Sequence, residues 1–197
     1  MGKSVLLAYM VAVLCSGREL YRSVGDIGVK DATEVLEGMN YDREGGPVVV
    51  LAMSDRQLES LKYWYEFFVS EFQDNDLRDD LNFRRPEFML AGNLREEWKI
   101  YRRKFSAILV DEAHDLPDSV ARTLKELYEV NPFYLVAACD RHQQLRLTGI
   151  NTPVIKGFDF SGKWTRLKHV YRNPVPVYIA SLAIMFRWFA DGGPKVI

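Results

Sequence analysis

Three short apolar runs divide the chain, and in each of them the apolar residues are continuous rather than alternating. Val48–Ala52 follows a Gly-Gly-Pro turn, Ala107–Val110 follows a basic stretch, and Phe133–Ala138 follows Asn-Pro. Short runs rich in β-branched or aromatic residues and bounded by Gly or Pro are typical of strands. Because polar and apolar positions do not alternate, we expect these strands to be buried on both faces, as in a parallel sheet.

Helical patterns separate the three runs. They extend over residues 56–72, 93–104 and 119–128. Strands that alternate with helices predict an α/β fold with a mostly parallel sheet flanked by helices. Residues 16–46 and 73–92 are polar, with scattered Gly, Asp and Asn, and we expect loops and insertions there.

The amino terminus carries a further apolar run, Val5–Cys15, after a single basic residue. A secretory signal peptide has a more basic start and a small-residue cleavage site, and this segment lacks both. The run is also too short to span a bilayer, which needs about 20 apolar residues. We therefore expect a helix buried on most sides in the protein core, and no membrane partner.

Composition and charge narrow the class of protein. The chain has 197 residues, of which 48% are hydrophobic and 27% charged, and its formal net charge is −1. These values are typical of a globular domain and exclude global disorder. A net charge near zero gives no overall attraction to nucleic acid, so a polyanion site must be a local patch. Cys15 and Cys139 lie in apolar surroundings and form no CxxC pair, which favours a reducing, cytoplasmic setting.

A candidate phosphate site lies at the start of the chain, where Gly2-Lys3-Ser4 directly precedes the predicted helix. In the P-loop motif, G-x-x-x-x-G-K-[ST], backbone N–H groups surround the phosphates, the Lys reaches the β- and γ-phosphates, and the hydroxyl holds Mg²⁺. The phosphates then lie at a helix N-terminus, which favours anions. Only the second half of the motif is present here. The alternative is a polar N-terminal turn that Ser4 caps.

A stronger signal follows the second strand, where Val110 is succeeded by Asp111-Glu112-Ala113-His114-Asp115. Ligands of open α/β sheets bind at the carboxyl ends of the strands. A carboxylate at that place can hold Mg²⁺, as a Walker-B Asp does, and an adjacent Glu can activate the attacking water. The alternative is an acidic turn in which Asp115 and Asp118 cap the next helix. Together with Gly2-Lys3-Ser4, the paired carboxylates predict an NTPase.

The chain resembles the superfamily 1 helicases, most closely the UvrD/Rep-like group. Gly2–Ser4 matches the end of motif I, and Asp111–Asp115 matches motif II, D-E-x-Q-D. Cys139–Leu145 resembles motif III, G-D-x-x-Q-x-I, and Leu167–Asn173 resembles motif IV, L-x-x-N-Y-R-S. Leu51–Arg56 falls where motif Ia is expected, with a loose match. The resemblance covers most of the chain and implies a RecA-like P-loop ATPase lobe.

The resemblance implies a role for each matched residue around the nucleotide. Gly2, Lys3 and Ser4 would bind the phosphates of ATP, and Ser4 and Asp111 would hold Mg²⁺. Glu112 would be the general base.

Other roles implied by the resemblance concern coupling and nucleic acid. Gln143 would sense the γ-phosphate, and Arg172 would act as an arginine finger; both would belong to the catalytic and the nucleotide-binding groups. Ser54, Arg56 and His114 would face single-stranded DNA, with His114 at the place where the motif has Gln.

The departures from the family pattern open a second interpretation. The first half of motif I is absent, Cys139 replaces a Gly of motif III, and Val170 replaces an Asn of motif IV. We expect residues 1–173 to form the ATPase lobe and residues 174–197 to begin a missing second lobe or form a C-terminal helix. Such a chain would not unwind a duplex alone and would need that lobe or a partner protein. The alternative function is a non-catalytic, P-loop-derived module that senses nucleotide or binds protein.

Overall fold

The computed structural model of the protein describes residues 3–16, 46–74, 85–101, 104–139 and 155–160. Its α-helices in these ranges are α1 (Lys3–Ser16), α2 (Asp55–Asp74), α3 (Leu94–Tyr101) and α4 (Asp118–Val130). Its strands there are β1 (Val48–Ala52), β2 (Glu87–Leu90), β3 (Ala107–Val110) and β4 (Tyr134–Ala137), with 3₁₀ turns at Ala91–Asn93 and Ala113–Asp115.

The four described strands form one sheet in the order β2-β1-β3-β4, and every pair in it is parallel. The register places Val49 opposite Ile108 and Ile108 opposite Leu135. Every residue of the central strands β1 and β3 is buried, whereas the residues of β2 and β4 are partly buried. The predicted α/β class, with a parallel sheet flanked by helices, is therefore confirmed, and burial on both faces explains the continuous apolar runs.

Successive residues of β1 face two different hydrophobic cores. Val48, Val50 and Ala52 belong to a core that also contains residues of α1 and α2. Val49 and Leu51 belong to a core that contains residues of α3 and α4. Because side chains alternate across a strand, the two cores lie on opposite faces of the sheet, and the helices form a layer on each.

The helix predicted for the amino-terminal apolar run is present as α1. Its residues from Leu7 to Cys15 are all buried, which agrees with a run that is apolar on every side. Tyr9 packs edge-on against Phe68 of α2, with the ring centroids 5.3 Å apart. Within the ranges given above, no helix combines the length and the hydropathy that a membrane span requires.

The loop predicted for residues 73–92 is wrong over Glu87–Leu90, which forms β2 and pairs with β1, and residues 75–84 of that segment lie outside the described ranges. Its apolar stretch, Phe88–Ala91, has four residues, the shortest run that marks a buried strand in sequence, and it lies at the end of a polar segment. Tertiary contacts supply the rest: Phe88 packs against Tyr65, with the ring centroids 5.5 Å apart, and Met89 packs against the core on the opposite face. The predicted bounds of the other elements differ from the observed ones by a few residues at most, as helix and strand ends commonly do.

Candidate functional site

The carboxyl ends of β1, β3 and β4 meet at one edge of the sheet, and the chain turns there at Asp111. The Asp111 N–H donates to the carbonyl oxygen of Leu51, at 3.0 Å. The Ala113 N–H donates to the carbonyl oxygen of Ala138, and the Ala138 N–H donates to that of Val110, both at 2.8 Å. The turn is thus held to a strand on each side, which fixes the positions of the side chains that it carries.

The first turn of α1 reaches this edge through a hydroxyl–carboxylate hydrogen bond. The Ser4 hydroxyl donates to Asp111 Oδ2 at 2.7 Å, and the Glu112 N–H donates to Asp111 Oδ1 at 3.1 Å. Asp111 is 1% exposed. Burial raises the pKa of the Asp111 carboxyl; the Glu112 carboxylate adds to the rise, and the Ser4 hydroxyl, the Glu112 N–H and the Lys3 ammonium oppose it. A carboxylate kept here costs free energy, which a bound cation would offset.

Glu112 has a left-handed backbone, with φ 47° and ψ 46°. Among the non-glycine residues that the structure describes, Glu112 is the one with a positive φ. This conformation costs about 1–2 kcal/mol in a residue that has a Cβ, and strain of this kind is concentrated at functional sites. It directs the Glu112 carboxylate toward the start of α1, where Oε2 lies 3.5 Å from Lys3 Nζ.

The same oxygen of Glu112 also faces a histidine. His114 Nδ1 lies 3.5 Å from Glu112 Oε2, and His114 Nε2 lies 3.8 Å from Asp115 Oδ2. The His114 side chain is 4% exposed, whereas that of Asp115 is 40% exposed. Glu112 Oε2 is itself buried and has no hydrogen-bond partner in the described part of the chain, so its polar contacts there are these two longer ones, to Lys3 and His114.

The oxygens of Ser4 and Asp111 fit a magnesium ion. Two neighbouring ligands of an octahedral Mg²⁺ lie about 3 Å apart when each metal–oxygen bond is about 2.1 Å. The Ser4 Oγ to Asp111 Oδ2 separation of 2.7 Å is close to that value. The part of the chain that the structure describes contains no cluster of three or more His, Cys, Asp or Glu residues able to hold a metal. Mg²⁺ commonly takes its remaining ligands from water and substrate phosphates, so a small protein ligand set agrees with it.

Both structural alternatives raised by the sequence are wrong in the described structure. Ser4 lies inside α1, and its hydroxyl donates to Asp111 instead of capping a turn. The N-cap of α4 is Pro117, and no side chain makes a capping hydrogen bond there. Asp118 is the first residue of α4 and pairs with Lys156 at 3.6 Å. The acidic residues that follow β3 therefore do not serve as helix caps.

The structure places the residues predicted for single-stranded DNA in two different settings. Ser54 and Arg56 are exposed at the start of α2, where the Ser54 hydroxyl accepts a weak hydrogen bond of 3.4 Å from the Gln57 N–H. Gln57 Oε1 accepts from the Met53 N–H at 3.0 Å, so that this segment resembles a capping box. His114 instead lies within the cluster around Glu112.

Several predicted site residues lie outside the described ranges. These are Gly2, Gln143 and Arg172, and the predicted division between residues 173 and 174 falls outside them as well. The pairing of Asp115 and His114 was not anticipated from the sequence. Its only signal is that Glu112, His114 and Asp115 occupy one tight turn, too short a segment to set the direction of each side chain.

The cluster thus brings together an ammonium group, a hydroxyl, two carboxylates and an imidazole at the N-terminus of a helix. Such a set can bind an anion through Lys3 and the helix, hold a hard cation through Ser4 and Asp111, and accept a proton at Glu112. Comparisons with family models, curated proteins and solved structures give no match for this chain.

Proposed function

We propose that this chain binds and hydrolyses a magnesium–nucleoside triphosphate, as the RecA-like P-loop lobe of a superfamily 1 type DNA helicase or translocase. The observation that carries the proposal is the hydrogen bond of 2.7 Å between Ser4 and Asp111, which are 107 positions apart in the chain. It joins the two segments that sequence reasoning assigned separately to the phosphate and to the metal. A second link of 3.5 Å, between Lys3 and Glu112, supports the same arrangement.

The chemistry follows from the position of each group. Lys3 and the N–H groups of the first turn of α1 hold the β- and γ-phosphates of ATP. Mg²⁺ held by Ser4 and Asp111 would neutralise charge that develops on the phosphate oxygens. Glu112 accepts a proton from the water whose oxygen attacks the γ-phosphorus, while the bond from that phosphorus to the β-phosphate oxygen breaks to give ADP and phosphate.

The wider roles in this proposal come from the resemblance. Gln143 senses the γ-phosphate, and Arg172 stabilises charge on the transferred phosphoryl group. Ser54 and Arg56 contribute to a single-stranded DNA surface. A second lobe, or a partner protein that supplies one, would complete the translocating unit.

A nucleotide sensor without hydrolysis is the second candidate, and one contact favours it. Glu112 Oε2 faces two potential cations, Lys3 and His114, each at 3.5 Å. A carboxylate oxygen held between two such groups is less accessible to an attacking water. If both contacts persist in the nucleotide complex, the protein binds ATP without cleaving it.

Calorimetry with Mg·ATP and Mg·ADP, combined with phosphate release with and without single-stranded DNA, tests the proposal. We expect the wild-type chain to bind both nucleotides and Lys3→Ala and Ser4→Ala to weaken binding at least about tenfold, since each removes a charged or metal-linked contact worth about 1.5–3 kcal/mol. Lys125→Ala is the matched control, because Lys125 is a half-exposed lysine that pairs only with Glu129 in the described structure.

The outcomes separate the two candidates. Binding together with phosphate release supports the hydrolase, and binding without release supports the sensor. Absence of Mg·ATP binding by the folded wild-type chain would refute both.

A further inference from the structure

Two nitrogen groups compete for one carboxylate oxygen in the cluster. Lys3 Nζ and His114 Nδ1 each lie 3.5 Å from Glu112 Oε2. A distance of 3.5 Å is too long for a charge-assisted hydrogen bond, which requires about 2.7–2.9 Å. Neither partner therefore holds the carboxylate at full strength in the described state.

Nucleotide binding should weaken the contact of Glu112 with Lys3 but not its contact with His114. Lys3 lies at the start of α1, where an incoming phosphate attracts the ammonium group and weakens its hold on Glu112. His114 has no such freedom: its side chain is 4% exposed and lies in a turn whose Ala113 N–H donates to the Ala138 carbonyl, directly after β4, at 2.8 Å. Asp115, 3.8 Å from His114 Nε2, faces the other side of the imidazole ring.

Glu112 needs a side chain that holds its carboxylate in place, because its left-handed backbone conformation is not favourable by itself. A left-handed residue with a Cβ persists only where its surroundings hold it. When Lys3 turns to the phosphate, the imidazole becomes the remaining described group that faces Glu112 Oε2. A move of about 0.6 Å would shorten that contact to a charge-assisted hydrogen bond.

We propose that His114 is a positioning residue for Glu112: its Nδ1–H holds Oε2 after Lys3 has moved to the phosphate, and leaves Oε1 to accept the proton of the attacking water. The inference rests on the proposed hydrolysis and assigns His114 a role other than contact with DNA.

The test compares His114→Gln, which keeps a side-chain N–H donor, with His114→Leu, which fills a similar volume without one. We expect His114→Leu to lower kcat for ATP hydrolysis about 10- to 100-fold, since a misplaced catalytic group costs on that order. KM and the Kd for Mg·ADP should stay within about threefold, because the phosphate and metal contacts are unchanged. His114→Gln should recover most of kcat.

A double-substituted chain distinguishes positioning from a structural role. If His114 acts through Glu112, His114→Leu has no further effect on kcat in a Glu112→Gln background. Circular dichroism and thermal unfolding of each variant establish that it is folded.

The other possible results contradict either the role of His114 alone or the proposed hydrolysis as well. Full kcat in folded His114→Leu, or equal losses in Leu and Gln variants, overturns the inference while the proposed hydrolase stands. A further loss of kcat when His114→Leu is added to Glu112→Gln also overturns it. A wild-type chain that releases no phosphate removes the hydrolase and this inference together.

Discussion

The amino ends and the carboxyl ends of the parallel strands carry different kinds of polar groups. At the amino end, Ser106 closes the sheet: its N–H donates to the Pro47 carbonyl at 3.1 Å, and its hydroxyl donates to the Gly46 carbonyl at 2.8 Å. The Ser106 carbonyl in turn accepts from the Tyr134 N–H at 3.1 Å. At the carboxyl end, Asp111 and Glu112 bring carboxylates into a largely buried cluster beside Lys3.

The carboxyl end of the sheet is the end that lowers the stability of the fold. The polar groups named at the amino end are neutral and bond to one another, which is the usual state of buried polar groups. At the carboxyl end, Asp111 is a desolvated carboxyl group and Glu112 has a left-handed backbone. Local rules are broken mainly where function requires it, so the carboxyl end is the place to look for chemistry.

The largest expected effect lies at the carboxyl end. Glu112→Gln should lower ATP turnover by about 10²- to 10⁴-fold, the usual contribution of a general base, because the amide cannot accept the proton. Mg·ATP affinity should change little, since the Ser4–Asp111 contact remains. Phosphate release and calorimetry measure the two quantities. Glu129→Gln, an exposed substitution on α4, is the control, and turnover at the wild-type rate in Glu112→Gln would exclude the base role.

At the amino end of the strands, Gly46→Ala should lower the stability of the fold without changing nucleotide binding. Gly46 has φ 133°, and a Cβ there would lie 2.1 Å from the Lys104 carbonyl oxygen. Gly46→Ala should therefore lower the free energy of unfolding by about 1–3 kcal/mol, with Mg·ATP affinity of the folded protein unchanged. Urea denaturation measures the first quantity. Gly92→Ala is the matched control, because nothing lies within 4 Å of the Cβ it adds. Weakened nucleotide binding in folded Gly46→Ala would show that the two ends are coupled.

A smaller effect is expected from the hydroxyl that closes the amino end. Ser106→Ala removes a hydroxyl that donates to the Gly46 carbonyl at 2.8 Å and, more weakly, to the Pro47 carbonyl at 3.2 Å, in a residue that is 6% exposed. The free energy of unfolding should fall by about 1 kcal/mol, the net worth of one such bond. Ser70→Ala removes an exposed hydroxyl bond within α2 and should cost less in the same urea measurement. Equal losses for the two variants would mean that burial does not decide the cost.

The two ends also differ in how far the sequence predicts them. Val48–Ala52 and Ala107–Val110 are strands as predicted, because burial on both faces makes every position apolar. Glu87–Leu90 is missed because its apolar stretch has the minimum length of a strand run and lies at the end of a polar segment. Gly46 marks a turn in the sequence, but its close approach to Lys104 is a long-range contact that no local pattern contains.

At the carboxyl end, residue types predict the chemistry but not the partners. A strand followed by Asp111 and Glu112 predicts a cation site and a base from residue type alone. That Ser4 meets Asp111 depends on how α1 docks against the sheet, and that His114 meets Glu112 depends on one left-handed residue. Both contacts depend on the folded structure. The residue types of the cluster can therefore be predicted from the sequence, whereas the contacts between them cannot.

The smallest expected effect is a pH dependence of the free energy of unfolding, which should arise from Asp111 at the carboxyl end of the sheet and not from Ser106 at the amino end. Burial raises the pKa of Asp111, so the folded chain binds its proton more tightly than the unfolded chain does. The contribution of Asp111 to the free energy of unfolding should therefore fall as pH rises from about 3.9, the ordinary Asp value, through the raised pKa, and stay constant above it. The Ser4 hydroxyl, the Glu112 N–H and Lys3 oppose the rise, which keeps the effect small.

Asp111→Asn should remove this dependence, because the amide does not titrate in that range. Urea denaturation of both proteins across the acid and neutral range gives the difference in unfolding free energy, wild type minus variant. That difference should decrease with rising pH and then level off, whereas Ser106→Ala should show a difference from wild type that does not vary with pH. A wild-type advantage that grows with pH would mean that the Asp111 carboxylate is stabilised in the fold, and the buried-charge account of the carboxyl end would then fail.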